Sequence, residues 1–261
     1  MKILVLVKEV PDAAVEKTIT ADGRIDRSGE KALNPYDTHA LEAAVQIKEA
    51  GNDVSEIVAV TVGPDSASRT LQGAVSRGAD RSIHLSDEGL AGSDVIATGY
   101  ALAELVKRES PELVLLGQQS DDGGSYAVGS VVGEFLGQPA LSQVVKLDLA
   151  GDTITAERQA EYGYDTVEVK LPAVISVGDA INEPRYPSLK AIMGAKKKPV
   201  EKLSLSDAGI DAGKVGSAGS GVECKDFTKP EVKSGGTVIT DEDTAATVEQ
   251  IVAWLDERKL V

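Results

Sequence analysis

With 261 residues, 42% of them hydrophobic, the chain has enough sequence for one large domain, or one domain with an extension, around a real core. Aromatic residues make up only 3%, so that core has to be built from Val, Ile, Leu and Ala. A formal net charge of −15 argues against wholesale binding of a nucleic-acid backbone, which needs clustered Lys and Arg, and the single cysteine, Cys224, excludes an internal disulfide and any multi-cysteine metal centre.

His39 and His84 are the only histidines, which leaves zinc chemistry poorly supported. The opening MKILVLVKEV has no long apolar stretch or small-residue cleavage site, and no segment approaches the roughly 18 apolar residues of a membrane span. The expectation is a soluble, cytoplasmic protein with no direct membrane insertion.

Residues 3–7, ILVLV, form a short continuous apolar run, as expected of a strand buried on both faces. Residues 10–33 are polar, with an ADG turn signal at 21–23. Asp37 or Thr38 can then cap a helix to about Ala50, stopped by Gly51. A second buried strand follows at 56–63, then a helix over 67–77 capped by Asp65 or Ser66, and a strand at 81–85. Ser93 can cap a helix to about Arg108, ELVLLG at 112–117 reads as a fourth strand, and a further helix covers roughly 126–136.

Strands alternating with helices at these spacings predict an α/β fold with a mostly parallel sheet covered by helices on both faces. Such sheets bind ligands at the carboxyl ends of their strands, near the point where strand order reverses. Both VKEVPD, after the first strand, and GQQSDDGGSYAVGS, residues 117–130, fall at carboxyl ends.

After 140 the period changes. QVVKLDLAGDTITAERQA alternates around an AGD turn and predicts an antiparallel hairpin, with further strands in DTVEVKL and PAVISV. Residues 1–200 therefore read as one α/β domain, with a nucleotide expected at the carboxyl ends of its parallel strands. Residues 205–237 are rich in Gly, Ser, Asp and Lys, so 201–261 reads as an extended arm that wraps a partner, ending in a helix whose stripe includes Val248, Ile251, Val252 and Leu255.

The stretch 117–130 is the first candidate site. Gly117, Gly123 and Gly124 let backbone amides approach a ligand, and Ser125 can cap the following helix, whose N–H groups and dipole favour an anion. The spacing matches neither G-x-x-x-x-G-K-[ST] nor G-x-G-x-x-G, and Asp121 and Asp122 would repel a phosphate unless they bind ribose hydroxyls or cap the helix. A glycine-rich surface turn is the plain alternative. In ALNPYD, Asn34-Pro35 stiffens a turn and Tyr36 projects beside a helix start.

Prolines at 172, 184 and 187 make the segment 171–199 stiff yet irregular. Ser188 can cap a short helix there carrying Leu189, Ile192 and Met193, an apolar face suited either to docking or to packing on its own domain. His39 is expected on a helix facing solvent or the sheet edge, and His84 in a strand. Cys224 reads as an incidental thiol. No Cys–His pair or nucleophile elbow is present, so any chemistry would come from a cofactor rather than from side-chain catalysis.

KILVLVKEVPD, ALNPYD, VTVGP, GADRSIHL, LVLLG and then LPAVISV…NEPRYPSLKAIMGAKKKP occur here in the order found in electron-transfer flavoprotein β subunits, which the chain resembles over residues 1–200. The resemblance implies a heterodimer with a flavoprotein α subunit, carrying electrons from flavin dehydrogenases to a membrane quinone oxidoreductase or another acceptor. It implies FAD mainly on the α subunit and a structural AMP here. By position, AMP contacts would come from Leu6; from Asn34, Pro35, Tyr36 and Asp37; from Val62; and from Gly117, Gln118, Gln119, Ser120, Asp121, Asp122, Gly123, Gly124, Ser125, Tyr126, Ala127 and Val128. Leu189 would anchor the dehydrogenase, with Ile192 and Met193 beside it.

The loop departs from the family's patterns. AMP-binding relatives often read Q-A-I-D-D-D-x-x-Q-T-G, and those with a second, bifurcating FAD read Q-A-I-D-G-D-T-A-Q-V-G. This chain has glycine at both 123 and 124 and Ala127 in place of the second glutamine. AMP is the expected ligand and a second FAD the alternative, with an adenine-nucleotide hydrolase as a distant third reading.

Overall fold

The computed structural model describes residues 1–20, 23–223, 225–226, 228, 235–240 and 243–261. Cys224, and Ala21 and Asp22 of the expected ADG turn, lie outside the described residues. Among those described, the first compact unit spans Met1–Lys225 and a second spans Asp226–Val261.

The elements of the first unit begin with β1 (Lys2–Leu6), β2 (Glu9–Pro11), β3 (Lys31–Leu33) and α1 (Pro35–Glu49). They continue with β4 (Glu56–Val62), α2 (Ser68–Ser76), β5 (Arg81–Leu85), α3 (Val95–Glu109), β6 (Leu113–Gly117) and α4 (Val128–Leu136). Then come β7 (Ala140–Ala150), β8 (Thr153–Ala160), β9 (Gly163–Lys170), β10 (Ala173–Val177), α5 (Leu189–Ala195), β11 (Val200–Leu203) and the one-turn α6 (Gly216–Gly219).

Nine strands form one sheet in the order β11-β5-β4-β1-β6-β10-β7-β8-β9. Every pairing from β11 to β7 is parallel, and β7, β8 and β9 are antiparallel. The expected α/β class and hairpin are thus present. Alternation along β1 divides the core. Ile3 and Val5 point to a cluster with Leu41, Ala44 and Leu71 from α1 and α2, while Leu4 and Leu6 point to one with Leu105 and Val132 from α3 and α4.

Several expectations change. The polar stretch after β1 contains the antiparallel pair β2–β3, too short to carry a period-2 signal. Neither Asp37 nor Thr38 caps α1. Asn34 occupies the N-cap with Pro35 following, a favoured place for a residue without an N–H, and Asp37 turns inward. Asp65 and Ser66 form a 3-10 turn ahead of α2 without a side-chain cap, and Asp94, not Ser93, caps α3 by accepting from the Ala97 N–H at 2.8 Å. Ser125 does not cap α4, whose N-cap is Ala127 with no side-chain hydrogen bond.

Residues 201–215 fall in the segment expected to be a partner-wrapping arm. Instead β11 pairs in parallel with β5, and Leu203, Leu205, Ile210 and Val215 join the α3-side core. Four apolar residues dispersed among Ser, Asp and Gly are too sparse to show a period, and only the neighbouring strand shows that they are buried. The second unit carries α7 (Thr244–Glu257), whose Asp243 side chain accepts from the Ala245 N–H and whose Val248, Ile251 and Val252 are exposed.

Candidate nucleotide-binding site

Strand order reverses between β1 and β6. The chain builds outward from β1 to β4 and β5 on one side, then returns to β6 on the other. Adjacent parallel strands leading to opposite sides open a crevice at their carboxyl ends. Leu6 ends β1, Val62 ends β4 and Gly117 ends β6, and Leu6, Val62 and Val128 belong to one apolar cluster there.

The turn before α1 and the loop after β6 are joined through side chains. Asn34 Nδ2 donates to the Gln119 carbonyl at 2.8 Å, and its Oδ1 accepts the Asp121 N–H at 3.1 Å. Asp37 accepts the Lys8 N–H at 2.7 Å on one oxygen and the Gly117 N–H at 3.1 Å on the other. Burial pushes the Asp37 carboxyl up to about 7, prevailing over these hydrogen bonds. Pro35 and Tyr36 form the first turn of α1, so the expected quartet 34–37 and the loop meet at β1.

The two aspartates neither cap α4 nor stand alone. The Asp122 side chain is fully buried and forms ion pairs with Lys8 Nζ at 2.7 Å and with Arg27 Nη2. Burial alone would raise its pKa, but Lys8, Ser120 and Arg27 hold it below the ordinary aspartate value. Lys17 Nζ pairs with Asp121 at 2.7 Å and also donates to the Asp121 carbonyl at 2.9 Å. Three cations from residues 8–27 therefore neutralise two carboxylates, and the repulsion expected of Asp121 and Asp122 toward a phosphate is offset.

Ser120 holds the centre of the loop. Its Oγ accepts from Lys8 Nζ at 3.1 Å and from the Gly123 N–H at 3.2 Å, and its carbonyl accepts the Gly124 N–H at 2.9 Å. Gly124 takes a positive φ of 54°, a conformation that costs glycine little. Gln118 is tied to the end of β10, where its N–H meets the Val177 carbonyl at 2.9 Å. Residues 123–126 are exposed. Ala127 offers no side-chain acceptor, and among the described residues no side-chain cap bonds the first-turn N–H groups of α4, which are donors of the kind an anion takes.

Sequence reasoning missed Lys8, Lys17 and Arg27. Lys8 lies in VKEVPD, already marked by its place after β1. Nothing in the polar stretch 12–30 shows that Lys17 and Arg27 reach the loop.

The other expected surface lies on the connection from β10 to β11. Ser188 caps α5 by accepting from the Ala191 N–H at 3.2 Å, as expected. Leu189 is 81% exposed and Met193 67%, with Ile192 less so, while Ala195 packs into the α1-side core. His39 lies on α1, a helix residue as expected, and is half-buried, with its Nδ1 3.0 Å from the Asn182 carbonyl. His84 is buried in β5, with Nε2 3.0 Å from the Gly63 carbonyl. Among the described residues no group of His, Cys, Asp and Glu could hold a metal ion.

The sequence profile of the electron transfer flavoprotein domain matches residues 22–208. The chain belongs to the electron transfer flavoprotein family. At full length it resembles the family's β subunits. It is 42% identical to the electron transfer flavoprotein subunit beta of Mycobacterium tuberculosis H37Rv, with 99% of each chain covered. It is 34% identical to that of Megasphaera elsdenii and 33% identical to that of Clostridium acetobutylicum, each covered at 100%. Among the described residues, no helix is long and apolar enough to cross a membrane.

Proposed function

We propose that this chain is the β subunit of a heterodimeric electron carrier and holds a structural AMP at the carboxyl ends of β1, β4 and β6. The observation that carries this reading is the join between Asn34–Asp37 and the loop after β6, at the reversal of strand order and ahead of a helix with no side-chain cap. The fit to a nucleotide rests on three features: first-turn N–H groups of α4 without a side-chain cap for phosphate, aspartates already neutralised by Lys8, Lys17 and Arg27, and exposed glycines at 123 and 124. AMP bound there supplies no chemistry; it fills and stiffens the crevice.

The flavin that accepts and gives electrons is FAD carried mainly by the partner α subunit. The face of Leu189, Ile192 and Met193 docks flavin dehydrogenases, which brings their flavin within reach of the partner's FAD. A membrane quinone oxidoreductase or another acceptor then takes the electrons. Support for docking comes from three large apolar side chains directed outward from a short helix whose Ala195 end is fixed in the core. The part of the chain outside the core, with the exposed stripe on α7, is proposed to contact the α subunit.

A second reading, a further FAD in the same loop and a bifurcating carrier, is favoured by Asp122-Gly123 and Val128-Gly129, which match the D-G and V-G steps of the pattern given above for relatives with a second FAD. The test is to purify the complex with whatever copurifies, denature it and quantify the released nucleotides. One FAD and one AMP per heterodimer supports the simple carrier. Two FAD and no AMP moves the protein to the bifurcating class, and release of neither would overturn both readings.

A further inference from the structure

The docking segment is not held by its own helix alone. Arg185, in the irregular stretch before α5, donates from Nε to Glu42 Oε2 at 2.8 Å and from Nη2 to Glu42 Oε1 at 2.9 Å. Its backbone N–H adds a third bond to Glu42 Oε2 at 3.2 Å, and Nη1 and Nη2 each reach a carboxylate oxygen of Glu49 at 2.8 Å. Glu42 and Glu49 are both on α1, seven positions and about two turns apart, so one guanidinium bridges the same helix face twice.

The two bridges are unequal. Glu49 is mostly exposed, and water screens its contact with Arg185. The Glu42 side chain is only 5% exposed, so the loss of Arg185 would leave a nearly buried carboxylate with too few donors. Both arms of that bridge are bidentate or backbone-assisted, which fixes direction as well as distance. One turn earlier on α1, Asn182 Nδ2 donates to the His39 carbonyl at 3.0 Å while His39 Nδ1 meets the Asn182 carbonyl at 3.0 Å. Pro184 and Pro187 flank Arg185 and limit the freedom of the chain between these contacts.

α1 has a second duty at its other end. Its N-terminal Asn34 and Asp37 hold the loop 117–121. The helix is therefore bolted to the nucleotide loop at its start and to the docking segment from His39 to Glu49. We propose that Arg185 is a positioning residue for partner docking: by gripping Glu42 on α1, it fixes the Leu189–Met193 face relative to the nucleotide loop. This rests on the reading of that face as the dehydrogenase-docking surface.

The test uses the complete heterodimer and a purified flavin dehydrogenase shown to reduce the wild-type complex. Arg185→Gln and Glu42→Gln remove the bidentate pairing. Arg185→Lys keeps the charge without the fork, and serves if Arg185→Gln does not accumulate. Leu189→Ala tests the docking surface itself. Hydrogen exchange of residues 182–195 is read beside KM and kcat for the dehydrogenase.

The expected result for Arg185→Gln and Glu42→Gln is exchange at 182–195 faster by about tenfold or more, and KM raised by about tenfold with a smaller change in kcat, with flavin and nucleotide content retained. Arg185→Lys should fall between these and wild type. Unchanged exchange in Arg185→Gln overturns the proposal. So does faster exchange with wild-type KM when Leu189→Ala raises KM, because docking would then be intact and independent of Arg185. If Leu189→Ala leaves KM unchanged, the docking reading fails, and the role given to Arg185 falls with it.

Discussion

The Asp37 carboxylate accepts the Gly117 N–H at 3.1 Å, across the gap between the first turn of α1 and the end of β6. Residue 117 has no room for a side chain there: a Cβ would lie 2.6 Å from the Tyr36 carbonyl carbon and 2.7 Å from Asp37 Oδ1. Glycine is required by close approach of backbone, not by a turn conformation. It sets how closely the Asn34–Asp37 turn sits against the loop after β6.

Gly117→Ala should therefore separate α1 from β6, since the nearest obstacle is backbone and cannot rotate away. A loss of about 2 kcal/mol in unfolding free energy is expected, with reduced nucleotide content in the purified complex. Urea titration and nucleotide quantification check both; wild-type values in each would show that the junction yields at no cost.

Asp37 gives a pH signature. Its folded pKa of about 7 stands above the ordinary value of 3.8, so the native state holds a proton that the unfolded chain has released. The stabilisation is complete below the unfolded value and is lost as pH rises through the folded one, with a limiting slope of roughly 1.4 kcal/mol per pH unit. Asp37→Asn should remove that slope between about pH 4 and 7. It should also lower overall stability by about 1–3 kcal/mol, because an amide nitrogen would face either the Lys8 or the Gly117 N–H. Denaturant midpoints measured across that range for both proteins decide the matter.

Asp122 has the opposite sign. Its folded pKa is depressed, so its contribution is present above the ordinary aspartate value and is lost as pH falls through the lower, folded one. Asp122→Asn should leave Lys8 and Arg27 without their buried counter-charge and loosen residues 117–128. Faster hydrogen exchange in that loop, together with a smaller effect of acid on it than in wild type, is the expected outcome.

Ala127→Asp tests the anion site directly. A carboxylate at the start of α4 should interact favourably with the helix dipole, by about 0.5 kcal/mol, while competing with phosphate for the same N–H groups. Bound AMP should fall several-fold although thermal stability of the nucleotide-free protein does not. Full AMP occupancy in this variant would show that the phosphate lies elsewhere.

Leu189→Ala truncates the most exposed large side chain of α5 and touches no core cluster. Reduction by a flavin dehydrogenase should weaken by about tenfold or more, as for loss of a central interface anchor, with flavin content unchanged. Loss of bound flavin, or wild-type reduction kinetics, would remove this residue from the docking surface.

The sequence by itself determined the alternation of buried strands and helices, the carboxyl-end position of residues 117–130 and the Ser188 cap. Each of these depends on local periodicity or on a capping residue within a few positions, so a single stretch carries the information. Tertiary structure alone decided that Asp37 turns inward instead of capping α1, that Asp121 and Asp122 are neutralised by Lys17, Lys8 and Arg27, and that Arg185 grips Glu42. It also decided that residues 200–215 complete the sheet edge and core. These are pairings between groups up to 143 positions apart in the chain. A charge or a lone apolar residue has no period, and its partner is chosen only when the strand order brings two distant segments to the same end or edge of the sheet.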